Sequence, residues 1–186
     1  MLDDFVTACR AAASAANPIA EVRELLTDLV ADPDQLAGRI PPPAGDDCGR
    51  CGSDLILFED RDVTIFVVHS RPGVQQPPHD HAMPALIGVY EGGETQRFFH
   101  RDTSTGNALT ETPGRTIRPG EVLSLGSSTI HAISAADERW ARAVHVYLGP
   151  LSSVDRSLYD PTTCQPEPMT TTRYDELSVA IAPPAP

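Results

Sequence analysis

The chain has 186 residues, a formal charge of −12 and a pI near 4.7, enough for one domain with a substantial core and some extensions. An acidic balance repels phosphate backbones and anionic bilayers, which argues against nucleic acid and membrane surfaces as partners, and no apolar run approaches bilayer-spanning length. Four scattered cysteines (Cys9, Cys48, Cys51, Cys164) make no disulfide framework, and acids stand where a signal peptide carries basic residues, so the expected location is the cytoplasm.

Residues 1–40 read as a helical extension packed on the outside of the main domain. Leu2, Phe5, Val6, Cys9 and Ala13 recur near helical spacing. Asn17-Pro18 restarts a helix, with Asn as N-cap and Pro at the first helical position. Ile19, Val22, Leu25, Leu26 and Leu29 form its apolar stripe. Residues 41–54 form a linker by composition. The pattern then turns to β over residues 55–160. "LILFED" and "DVTIFVVHS" are strands, "RPGVQQPP" is a loop, "HAMPALIGVYEG" is a strand, and "ETQRFFHRD" is its expected hairpin partner. Four or more short strands with Gly/Pro punctuation come next, which points to a sandwich or small barrel. Residues 161–186 turn to Pro, Thr and polar residues, the composition of a surface extension with a partly disordered end.

His79-Asp80-His81 stands at the mouth of the apolar strand. Residues i and i+2 of an extended segment share a face, so both imidazoles aim into one space while Asp80 points away. Two such rings can hold a metal ion. His145 and Tyr147, in "AVHVYLGPL", stand in the same i, i+2 relation.

The spacing of these residues resembles the two motifs of the cupin superfamily. Gly73, five residues, His79-x-His81 and later Gly92 match the first motif; Gly120, five residues, Gly126 and then His131 match the second. The departures are Ala85 or Leu86 at the family's Glu position, Gly126 for Pro and Ser128 for Gly. The resemblance spans roughly residues 55–151 and implies an all-β fold, a double-stranded β-helix (jelly-roll barrel) with the N-terminal helices outside. It implies metal ligation by His79, His81 and His131.

Without the Glu, three neutral imidazoles leave a divalent ion with more positive charge, which favours an anionic substrate ligand such as a thiolate. Within the cupins this is similar to the bacterial thiol dioxygenases, the cysteine dioxygenase-like group. That resemblance implies Fe(II) as cofactor and a small thiol and O2 as substrates, with a sulfinic acid as product. It also implies catalytic roles for Tyr147, whose hydroxyl meets bound oxygen or substrate, and for His145, which orients it. The family's partnering Ser is Ala143 here, and its crosslinking Cys is Leu86.

A substrate carboxylate calls for a guanidinium. Among Arg61, Arg71, Arg97, Arg101 and Arg118, the alternation of Arg97 and Arg101 on one strand makes these two the favoured clamp. Cys48 and Cys51 read as ordinary linker thiols, Glu91 and Glu94 as a solvated turn, and His69 and His100 as core-edge or surface residues. The open alternatives are a Zn, Ni or Mn cupin of hydrolase or isomerase type and a non-catalytic binding module. No stretch marks an oligomer interface.

Overall fold

The computed structural model describes residues 1–42, 49–102 and 108–181. Three helices come first: α1 (Leu2–Ala12), α2 (Pro18–Val30) and α3 (Pro33–Ala37). Asn17 caps α2 as expected, its side chain accepting from the Ala20 N–H with Pro18 in the first turn. The same device, Asp32 followed by Pro33, starts the third helix, where two were expected.

The strands are β1 (Gly52–Glu59), β2 (Thr64–Ser70), β3 (Val74–Gln75), β4 (Ala85–Glu91), β5 (Glu94–Asp102), β6 (Ala108–Ile117), β7 (Val122–Leu125), β8 (Ile130–Ala135) and β9 (Ala141–Tyr147). They form two antiparallel sheets, ordered β1-β2-β9-β4-β7 and β3-β8-β5-β6. The pairs β5·β6, β4·β7, β3·β8 and β2·β9 make one long hairpin rolled on itself, its arms passing between the sheets. That strand order is the jelly roll of a double-stranded β-helix, the cupin-type fold expected.

Two local expectations change. The loop "RPGVQQPP" contains β3. Strand β5 is not the hairpin partner of β4: it pairs with β6 and β8 in the opposite sheet. Gly92, at φ +67°, makes this crossing; a Cβ there would lie 2.3 Å from the Trp140 carbonyl oxygen.

Strands β2, β4 and β9 of the first sheet are buried on both faces, which is why they read as continuous apolar runs. Ile65, Val67, Leu86, Val144 and Val146 pack outward against Phe5, Val22, Leu26 and Val30 of the helices. Ala85, Ile87, Val89, Ala143 and Tyr147 pack inward. Gly88 lets α2 approach, since a Cβ there would lie 2.9 Å from side-chain carbons of Leu26 and Val30. Each fully buried Leu or Val stabilises this join by about 1.5–3 kcal/mol.

The tail is part of the body. Strands β10 (Ser157–Tyr159) and β11 (Pro166–Pro168) pair, α4 (Thr171–Leu177) comes next, and β12 (Val179–Ala180) adds to β3. The segment expected as a surface extension therefore docks on the open edge of the second sheet. Its end, residues 182–186, lies outside the described residues, as do residues 43–48 of the linker. No helix among the described residues is long and apolar enough to cross a membrane.

Candidate metal centre

His79 and His81 sit on the approach to β4, and His131 sits on β8. The His79 N–H donates to the His131 carbonyl at 2.8 Å, and the His131 N–H returns the bond at 2.9 Å. This two-bond clip joins the two motifs. Asp80 turns the other way, its carboxylate accepting from the Ser157 N–H at 3.2 Å and the Tyr159 hydroxyl at 3.1 Å. The alternation thus leaves the rings of His79 and His81 on one side. All three histidines are buried, and ligand nitrogens from the three lie within 4.8 Å of one another. The Nε2 atoms of His81 and His131 are 3.2 Å apart.

Neighbours set the tautomers of His79 and His131. The His79 Nδ1 lies 3.0 Å from the Pro77 carbonyl oxygen, which can only accept, so Nδ1 carries the hydrogen and Nε2 is bare. The Gln96 Nε2 donates to Glu94 Oε1 at 2.6 Å, which turns its amide oxygen toward His131 Nδ1 at 2.7 Å. His131 therefore also presents a bare Nε2. Burial lowers the His79 pKa to about 4 and holds His81 and His131 well below the ordinary imidazole range, so the trio is neutral at pH 7. Three convergent neutral imidazoles, two of them anchored through Nδ1, fit a divalent transition-metal ion. Among the described residues the cluster holds these three histidines and no carboxylate.

Two of the three histidines, His79 and His81, open on a cavity of about 560 Å³. Phe66, Val68, His69, His145 and Tyr147 line it from the barrel, and Thr171, Tyr174 and Asp175 line it from α4. The Tyr147 ring stands edge-on to His81 at a centroid distance of 4.9 Å and to Phe66 at 5.8 Å. Burial pushes the Tyr147 phenol well above its usual pKa, so it keeps its proton. Its hydroxyl lies 3.1 Å from His145 Nδ1. The other ring nitrogen, His145 Nε2, faces Glu94 Oε2 at 3.7 Å, and both atoms are buried without a hydrogen-bond partner.

The structure brings five of the seven expected site residues together: His79, His81, His131, His145 and Tyr147. Arg97 and Arg101 are placed elsewhere. Arg97 forks onto Glu111 at 2.8 and 2.6 Å, and the Arg101 guanidinium lies over the Tyr159 ring. The cause is strand parity: Glu94 and Gln96, fully buried, take the inner face of β5, so the odd positions face outward. Arg61, Arg71 and Arg118 do not line the cavity either; Arg156 does.

Glu94, expected in a solvated turn, is instead fully buried, while Glu91 pairs with Arg142. His69 is buried on the cavity wall between Ser53 and Tyr90, and His100 is exposed. Cys51 also lines the cavity, its thiol on Asp175 and pushed up to about 12 by burial, so it is no thiolate at neutral pH. Cys48 lies outside the described residues.

No protein-family model matches the chain. Among solved structures it is similar to oxalate oxidase at 18% identity and a TM-score of 0.44, over 57% of this chain and 55% of that one. The chain thus spans little more than half the length of that protein. It is similar to a DMSP lyase from Ruegeria pomeroyi at 17% identity and a TM-score of 0.47, over 70% of this chain and 77% of that one. A third match is a Klebsiella pneumoniae protein with a double-stranded β-helix domain, at 15% identity and a TM-score of 0.41, over 63% and 89% of the two chains. The strand order and the histidine geometry, rather than these likenesses, define the fold and the centre.

Proposed function

We propose that the protein is a mononuclear non-haem iron thiol dioxygenase that converts a small thiol and O2 into a sulfinic acid. The observation that carries this reading is the donor set: three buried, neutral imidazoles with no carboxylate among them, beside a protonated tyrosine on the wall of one cavity. Held by His79, His81 and His131, Fe(II) would supply the binding of thiolate and the activation of O2. A divalent ion with only neutral protein ligands is best balanced by an anionic sulfur. The reaction needs no outside reductant, because sulfur gives up four electrons and O2 takes four, both oxygen atoms ending on sulfur.

The chain's own side chains orient and enclose. Tyr147 holds a hydroxyl at the cavity wall beside His81, and His145 Nδ1 fixes the direction of that hydroxyl. Phe66 and Leu151 exclude water from the same wall. Arg156 is the single guanidinium lining the cavity among the described residues, and it is the group suited to an acid on the substrate.

The test is metal analysis of untagged protein, then oxygen-electrode assays of the iron-loaded protein with a panel of small thiols and mass detection of sulfinate. His79→Ala is expected to abolish both iron binding and O2 uptake. Iron-loaded protein that consumes no O2 with any thiol on the panel sinks the proposal.

A further inference from the structure

Two side chains of opposite charge, Asp54 and Arg156, line the histidine cavity. Asp54 projects from β1 and Arg156 stands just ahead of β10. Among the described residues neither side chain makes a hydrogen bond or ion pair, including with the other. The second acid on the cavity wall, Asp175, is already engaged by the Cys51 N–H and thiol. Asp54 is exposed to water and lines the cavity wall.

A ligand that fills this cavity displaces the water solvating both charges. A thiol with only a carboxylate answers Arg156 and leaves Asp54 desolvated and unpaired. A thiol with only an ammonium does the reverse. Leaving a buried charge unpaired is costly, and sites with such groups reject ligands that lack the matching partner. A zwitterion answers both at once, and its two charges compensate each other as Asp54 and Arg156 do.

We propose that Asp54 is a specificity-determining residue that takes the ammonium group of an amino-thiol acid whose carboxylate lies on Arg156. This rests on the proposed thiol dioxygenase function. It distinguishes among thiols that the histidine centre by itself would accept equally.

The test is binding, measured apart from turnover. Iron(II)-loaded protein is titrated under nitrogen, by calorimetry, with cysteine, 3-mercaptopropionate and cysteamine. Cysteine is expected to bind about tenfold or more tightly than either singly charged thiol. Asp54→Asn is expected to weaken cysteine and cysteamine by about tenfold while 3-mercaptopropionate binds as well as before or better. Arg156→Gln is expected to weaken cysteine and 3-mercaptopropionate and spare cysteamine. Equal affinity of the wild type for cysteine and 3-mercaptopropionate overturns the proposal, and so does an Asp54→Asn loss shared alike by all three thiols. The wild-type rank order decides the matter even where a variant fails to fold. Charge-selective binding without O2 uptake in air removes the dioxygenase reading and keeps the Asp54 assignment. Uptake without charge selection removes the Asp54 assignment and keeps the dioxygenase.

Discussion

Gln96→Leu isolates the tether of one histidine. In the native protein the Gln96 amide accepts from His131 Nδ1 at 2.7 Å and donates to Glu94 Oε1 at 2.6 Å, with all three side chains buried. Leucine has nearly the same reach and neither bond. The His131 N–H and the Glu94 oxygen are then both left unpaired in a dry interior. A buried unsatisfied group costs about 1–3 kcal/mol, so the pair destabilises the fold by about 2–6 kcal/mol. The His131 ring is also free to turn about χ2, which lowers metal affinity by about 10–100-fold, or about 1.4–2.7 kcal/mol. The assay is chelator competition for the metal, with urea denaturation of the metal-free protein alongside. Glu94→Gln serves as the companion, because its amide oxygen can still accept from Gln96 and keep the tether. That variant is expected to hold metal within about threefold of the wild type. A folded Gln96→Leu protein with wild-type metal affinity would refute the view that this amide orients the ligand.

Three further outcomes are expected. Tyr147→Phe keeps the ring packing on Phe66 and His81 but removes the hydroxyl from His145; metal content should stay, stability should fall by about 1–2 kcal/mol, and thiol-dependent O2 uptake should drop by at least about tenfold. In the metal-free protein burial holds His79 and His69 at about 4, against ~6.5 when unfolded. The unfolded chain therefore binds more protons between these values, so stability is fully present above pH ~6.5 and is lost as pH falls toward about 4. His79 alone contributes about 3 kcal/mol of this, and urea midpoints that stay flat from pH 7 to pH 5 would contradict it. Gly88→Ala drives a methyl into Leu26 and Val30 and should cost about 1–3 kcal/mol by chemical denaturation; no loss would mean that α2 does not press on β4 as described.

Much of the centre is written locally. His79 and His81 share a side because extended backbone alternates, and Asp80 turns away for the same reason. His145 and Tyr147 repeat that relation on β9. The apolar runs of β2 and β4 signal strands covered on both faces, and Asn17-Pro18 signals the start of α2. Periods of two and of 3.6 residues are properties of neighbouring residues, so one chain is enough to show them.

What faces what was settled only in three dimensions. Arg97 and Arg101 alternate just as well as Glu94 and Gln96, and hydropathy cannot say which set of a polar strand turns inward. Packing chose Glu94 and Gln96, because the inner set hydrogen-bonds to a ligand histidine and the outer set finds water and Glu111. Asp54 and Arg156 are about a hundred residues apart and share a cavity only because the hairpin rolls up and the tail folds back across its mouth. The sequence by itself determined the long strands of the barrel and the convergence of His79 with His81. The tertiary structure decided which charges face the histidines, since burial pairs groups by distance in space and leaves no periodic trace along the chain.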